Sequence, residues 1–248
     1  MLDSATLTDF CATFTGYGHL RAPVWFIGIE EAGGKTESAV ANHMATWQKR
    51  GRKDLESAPE FYPASGNDAW HGDGTPQPTW TQLIRMLLIA QGKADSPAAI
   101  LNYQLTRLGA TDGETCLLEL FPLPSPKLAI WNYKDWSELP WLQGREAYEQ
   151  KIVHHRIGLL RQKIDAGRPR TVIFYGDGKL KHWRQIMGAG TYARPIPDKL
   201  IAHVRDDIAF FVIRHPADPK LGSEQDDYFR EIGRYFRDNY GVRFLGRM

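Results

Sequence analysis

Apolar residues gather in four short runs along this chain: PVWFIGI (23–29), TCLLELF (115–121), RTVIFYG (170–176) and IAFFVIRH (208–215). Each is rich in β-branched and aromatic residues and near-continuous rather than alternating, the pattern of strands buried on both faces of a parallel sheet. Parallel strands need crossovers, and the segments between the runs carry helical periodicity. TWTQLIRMLLIAQG (79–92) places Trp80, Leu83, Ile84, Leu87 and Leu88 on one stripe and stops at Gly92. REAYEQKIVHHRIGLLRQKIDAG (145–167) does the same with Tyr148, Ile152, Leu159, Leu160 and Ile164. Further helices are expected at 3–15, 96–108, 178–188 and 223–239, which makes the chain an α/β protein.

Two stretches read as long ordered loops. One is 51–78, rich in Gly, Pro, Asp and His; the other is 122–144, with Pro122, Pro124, Pro126, Trp131, Trp136 and Trp141. Aromatics that dense serve either as a structural cover or as a binding surface. Neither stretch has the Ser, Gly or charge run of a flexible linker, and no repeat or low-complexity tract occurs, so residues 1–248 read as one domain.

Composition narrows the function classes. An apolar fraction of 42% in 248 residues is enough for a sizeable core. No run approaches the roughly 18 apolar residues of a membrane span, and MLDSATLTDFC lacks the basic and apolar regions of a signal peptide. A cytoplasmic protein with no membrane partner is expected. Two cysteines, Cys11 and Cys116, are too few for a disulfide framework, a cysteine zinc site or a thiolate cluster. His154 and His155 are adjacent in a helix and point to different faces, so neither a metal nor a cofactor is expected. A net charge of +2 leaves nucleic acid open as a partner.

Candidate chemistry sits where the strands end, because open α/β sheets bind ligands beyond the carboxyl ends of their strands. The first run leads through Gly28 and Ile29 to adjacent carboxylates, Glu30 and Glu31, then to Gly33, Gly34 and Lys35. The second ends in Phe121, Pro124 and Ser125, the third in Tyr175, Gly176 and Lys179, and the fourth in Arg214, His215, Pro216 and Ala217, with Lys220 and Leu221 beyond. Glycines admit a ligand close to the backbone, a helix start favours an anion, and a histidine can donate a proton near neutral pH. Together these provide an acid or base, phosphate contacts and a second donor, the set that cleavage of a nucleoside-type bond needs.

At these residues the chain resembles the uracil-DNA glycosylase superfamily. The resemblance runs from about residue 20 to 240 and rests on short motifs. Gly28-Ile29-Glu30 stands in the place of that family's catalytic loop, His215-Pro216-Ala217 in that of its histidine loop, and VIFYGDGKLKHWRQIM (172–187) in that of its third strand and following helix. The resemblance implies a three-layer α/β/α sandwich around a central four-stranded parallel sheet, and a monomer that acts on DNA. Three departures stand out. Glu31-Ala32 replaces the usual proline, the cysteines of the cluster-bearing branches are missing, and Glu119 replaces an asparagine that reads uracil. A carboxylate accepts from the exocyclic amine of cytosine or adenine and repels the O4 of uracil. The expected substrate is therefore an amino-bearing base such as a modified cytosine, and some relatives are implied to act on modified bases in anti-phage defence.

The implied reaction flips a base out of DNA and hydrolyses its glycosidic bond to leave an abasic site. Glu30 or Glu31 orients water and stabilises the developing cation, and His215 stabilises the departing base. Gly28, Ile29, Glu119, Phe121 and Tyr175 hold the base, and Leu221 wedges into the gap. Gly33, Gly34, Lys35, Pro124, Ser125, Gly176, Lys179, Arg214, Pro216, Ala217 and Lys220 contact the DNA. Two alternatives share the site: a hydrolase or transferase of nucleosides or nucleotide sugars, and a DNA-binding module that has lost catalysis.

Overall fold

A computed structural model describes residues 1–66 and 74–245. In chain order the elements are α1 (Ser4–Thr13), β1 (Gly16–Tyr17), β2 (Val24–Ala32), α2 (Glu37–Lys49), β3 (Leu55–Glu56), α3 (Ala58–Ala64), α4 (Pro78–Ala90) and α5 (Pro97–Thr106). There follow β4 (Thr115–Ser125), α6 (Tyr133–Trp136), α7 (Arg145–Gly167), β5 (Thr171–Tyr175), α8 (Leu180–Met187), β6 (Ala193–Ile196), β7 (Leu200–Arg205), β8 (Ile208–Ile213) and α9 (Gln225–Leu245).

Among the described residues one mixed sheet of eight strands, in the order β3-β1-β4-β2-β5-β8-β7-β6, forms the centre. The four apolar runs become β2, β4, β5 and β8, which are neighbours and mutually parallel. The expected sheet of four strands is nevertheless too small. β1 joins β4 antiparallel and carries β3 beyond it, while β7 and β6 extend the other side antiparallel from β8. These added strands are two to six residues long; β1 is buried but only two residues long, and β3, β6 and β7 are partly exposed, so they lack the apolar runs that betray central strands.

Both faces carry helices. Phe174 of β5 stacks on Trp183 of α8 with ring centroids 5.0 Å apart, and Phe211 of β8 packs on Phe236 of α9 at 4.6 Å. Phe174 is paired with Val212, the neighbour of Phe211, and neighbouring strand residues point to opposite faces, so α8 and α9 lie on opposite sides. The long α7 runs beside α8, and α4 lies along α9.

All six expected helices form. Their starts follow from caps: Asp3, Gln77 and Ser96 accept the amides of Thr6, Trp80 and Ala99, and Pro78 and Pro97 open α4 and α5. The stretch 51–78 is less loop-like than expected, because it holds β3, α3 and the start of α4; its residues 67–73 lie outside the described residues. In 122–144 the strand runs on to Ser125, and Trp131 and Trp141 pack their rings on Tyr148 at 4.8 and 6.2 Å, the arrangement of a structural cover. Among the described residues no helix is long and apolar enough to cross a membrane.

Candidate functional site

The carboxyl ends of β2, β4, β5 and β8 open into one cavity of about 930 Å³. Ile29, Glu30, Glu31, Gly33, Gly34 and Lys35 line it from the first strand end; Glu119, Pro124 and Ser125 from the second; Tyr175 and Gly176 from the third; and His215 and Ala217 from the fourth. The acids are not in a turn as expected. β2 continues through Glu30 and Glu31 to Ala32, and the turn begins at Gly33. Gly34 (φ +56°) is required there, since a Cβ would lie 2.3 Å from the Pro124 carbonyl oxygen.

The register between β2 and β4 shifts between Glu30 and Ala32, and the two carboxylates part at this irregularity. Glu30 Oε2 accepts from Arg145 Nη1 at 2.5 Å, at the start of α7. Burial pushes the Glu30 carboxyl above its ordinary value, against the pull of the Arg145 guanidinium. Glu31 is buried, and its Oε2 accepts from the Tyr17 hydroxyl at 2.9 Å, with Tyr62 hydrogen-bonding the same carboxyl. Burial raises Glu31 to about 7 despite those donors.

A third carboxylate faces the same space. The Tyr175 hydroxyl donates to Glu119 Oε1 at 2.8 Å, and Glu119 Oε2 lies over Gly28, where a Cβ would come within 2.3 Å of it. Desolvation holds Glu119 well above the carboxylate range, and the neighbouring Glu31 and Glu30 add to the rise. The shift favours the protonated acid over the charged acceptor expected from the sequence, and Oε2 is buried without a hydrogen-bond partner among the described residues.

His215 has a defined proton. Its Nδ1 accepts the Ala217 amide at 3.0 Å, and burial lowers its pKa, so the neutral ring carries its hydrogen on Nε2. Its ring lies 5.6 Å from that of Tyr175. The arrangement gives the cavity a neutral donor beside a buried acid.

Several expected contacts sit elsewhere. Phe121 is wholly buried against Tyr148, so it belongs to the core and not to a base platform. Leu221 is buried in the core as well, which removes it as a wedge. Gly28 lies beneath Glu119 and Tyr175 as a floor. Lys179 turns away to pair with Glu149 at 2.6 Å, and Arg214 pairs with Asp218 at 3.7 Å. Pro216 is buried and Lys220 exposed, both outside the cavity wall.

Tyr17, Tyr62 and His43 also line the cavity and Arg145 holds Glu30, none of them marked as a site residue by the sequence. The tyrosines and His43 come from short or weakly apolar elements, β1, α3 and α2, that carry no strand-end signal. His43 is buried in an aromatic cage with Phe10, Phe14 and Phe61, which lowers its pKa to about 4 through desolvation. Arg145 did leave a trace: a cation in the first turn of a helix opposes the helix dipole, so its place there needs an anion such as Glu30.

No family model matches the chain, and no curated protein matches it.

Proposed function

We propose that this protein is a DNA glycosylase of the uracil-DNA glycosylase kind, a cytoplasmic monomer that excises an amino-bearing or modified base, with the four parallel strands as the core of an α/β/α sandwich of that type. The carrying observation is the convergence on one cavity of two β2 carboxylates, the Glu119–Tyr175 pair and a neutral His215 with its hydrogen on Nε2.

In this reading the extruded base meets the Glu119–Tyr175 pair, in which Oε1 is held by the tyrosine and Oε2 has no hydrogen-bond partner among the described residues, so an amino-bearing edge would satisfy it. Glu30, paired with Arg145 through one oxygen, orients water and stabilises the oxocarbenium-like sugar as the bond breaks. Glu31, with a pKa of about 7, receives the proton that the water gives up. The His215 Nε2–H stabilises the negative charge on the leaving base. The cavity lies near the upper end of the range for small-molecule sites, which suits a base with an added substituent of the kind implied for anti-phage relatives.

The test is to incubate the protein with DNAs that carry uracil, mispaired thymine, hypoxanthine, cytosine or bulky modified cytosines, and to probe for alkali-labile abasic sites. A product on one base class, abolished in Glu30→Gln or His215→Ala, supports the reading; no product on any DNA rejects it. A second reading draws on the charge of the wall. Leaving Glu119 aside, Glu30, Glu31, Asp177 and Asp218 outnumber Lys35 and Lys127 there, while Arg145 and Arg214 are engaged with Glu30 and Asp218 and Lys179 with Glu149. Such a wall suits an uncharged nucleoside better than a phosphate chain, so cleavage of free nucleosides in the absence of DNA cleavage favours a nucleoside hydrolase.

A further inference from the structure

Two helices start at the cavity and lead away from it. α7 opens at Arg145, beside Glu30, and α8 follows Gly178, which lines the cavity wall. α7 ends before β5 begins and α8 starts after β5 ends, so the two run side by side in the same direction.

Their outer surface carries one sign of charge. Lys151, His154 and Arg161 are exposed on α7, at steps that share one helix face, and Lys181 and Arg184 are exposed on α8. The neighbouring acids are already engaged, Glu149 with Lys179 at 2.6 Å and Asp165 with Arg205 at 2.7 Å. Among the described residues Lys151, Arg161, Lys181 and Arg184 form no ion pair. Burial, and then the nearby Lys179, Lys181 and His154, hold His182 below its ordinary value against the pull of Glu149, so these groups crowd one surface.

Farther from the main cavity the two rows enclose a groove of about 490 Å³. Arg161 and Arg184 line it with Ile157, Gln185 and Tyr192, and among the described residues no carboxylate does. Arg184 is held over the Tyr192 ring, 5.1 Å from Cζ to the centroid. That ring stacks on the buried His203 at 4.8 Å, and its hydroxyl donates to the Gly188 carbonyl. The end of α8 does not require these arginines, because Arg205 already donates to the Ile186 and Met187 carbonyls at 3.1 and 2.9 Å. Arg161 places one of its five donors 3.4 Å from the Gln185 carbonyl and keeps the others for a ligand.

We infer that the α7–α8 face, from Lys181 to the Arg161–Arg184 groove, binds the phosphodiester backbone of a nucleic acid at a site separate from the cavity. The inference goes beyond the glycosylase reading, because it does not depend on what the cavity does. From Lys151 to Arg161 the helix spans about 15 Å, over which one strand of a duplex presents about four phosphates. Guanidinium forks match phosphate oxygens. A protein partner fits less well: no large apolar side chain is exposed on α7 or α8, and protein interfaces centre on such groups.

The experiment is fluorescence anisotropy with a labelled DNA duplex of about 20 base pairs and with one of its strands alone, across a range of salt. Wild type is compared with Arg161→Gln/Arg184→Gln, with Gly158→Glu and with Arg234→Gln, an exposed cation on α9 across the sheet. A Cβ at Gly158 meets open space, so glutamate there sets an acid on the cationic face of α7 without a clash. The expected result is equal binding by wild type and Arg234→Gln, and binding about tenfold weaker in the other two. In the double variant the slope of log K against log salt should be shallower by about two. Wild-type affinity and slope in the double variant overturn the inference, and so does a wild type that binds neither DNA. If calorimetry finds inorganic phosphate bound by wild type and lost in the double variant while DNA binding is unchanged, the groove takes free phosphate and the backbone inference is overturned. Equal affinity for poly-glutamate of matched charge assigns the face to an acidic polypeptide and overturns it as well. The abasic-site assay scores the cavity alone, so the two readings fail separately.

Discussion

Tyr175 and Glu119, on strands separated by β2, meet directly above Gly28, hydroxyl to carboxyl at 2.8 Å. Removing the hydroxyl leaves a carboxyl deep in the cavity without its donor. Tyr175→Phe should cost about 1–2 kcal/mol in denaturant unfolding, and much less in a Glu119→Met background, where the acceptor is gone. Equal costs in the two backgrounds would show that the pair contributes nothing.

Gly28 makes the meeting possible. A Cβ there would sit 2.2 Å from the Tyr175 hydroxyl oxygen and 2.3 Å from Glu119 Oε2, so alanine must break the pair or displace a strand. Gly28→Ala should destabilise by about 1–3 kcal/mol, and Tyr175→Phe in the same chain should not recover the loss, because the ring carbon Cζ would still lie 2.3 Å from that Cβ. Thermal unfolding of the single and double variants checks this; a double variant clearly more stable than Gly28→Ala would contradict it.

These contacts also mark how far sequence alone could reach. The four central strands and six helices were legible because each carries its own signal: continuous apolar runs, or stripes with caps such as Asp3 and Ser96. So was the convergence of Glu30, Glu119, Tyr175 and His215, since parallel strands must deliver their ends to one side of the sheet. The partners of those residues were not. Tyr17 lies in a two-residue strand, Tyr62 in a short helix, and Arg145 lies 115 residues from the acid it holds.

Glu31 should make stability depend on pH. Its carboxyl titrates at about 7 in the folded chain, above its ordinary value, so between those two values the folded state holds more protons than the unfolded state. The contribution is fully present below the ordinary carboxylate value and is lost as pH rises through about 7, a difference of about 3 kcal/mol. Glu31→Gln should be less sensitive to pH across this window. Urea unfolding at about pH 5 and about pH 8 gives the comparison, and the same fall for wild type and variant would exclude Glu31 as the source.

The Arg145–Glu30 pair has little exposure on either side chain, 16% and 7%, so breaking it from one end strands a charge. Arg145→Met should cost about 3 kcal/mol, whereas Arg145→Met with Glu30→Gln should cost less because no unpaired charge remains. The single variant should also free the turn that the Ile130 amide closes on the Lys127 carbonyl, because Arg145 Nη2 donates to the carbonyls of both residues; this is visible as faster hydrogen exchange at the Ile130 amide. Unchanged exchange there would separate the turn from the pair.

Arg156 presents the opposite case, a buried cation without a carboxylate in hydrogen-bond contact among the described residues. It is fully buried in α7 and donates to the carbonyls of Leu120 at 3.1 Å, Phe14 at 2.6 Å and Glu119 at 2.8 Å. Desolvation lowers its pKa to about 10, which leaves it charged near neutral pH, and the carbonyl dipoles supply the compensation. One side chain thereby ties the end of α1 to the β4 residue that carries the site's third acid. Arg156→Met keeps the apolar stem and strands the carbonyls, so it should cost about 3 kcal/mol; Arg156→Lys, which cannot span them with a planar fork, should recover only part. Hydrogen exchange along β4 distinguishes a local tie from a general packing loss. Faster exchange at the Glu119 amide, which bonds to the Thr15 carbonyl just past α1, is expected in both variants, and unchanged exchange there would mean that Arg156 does not hold this strand in register.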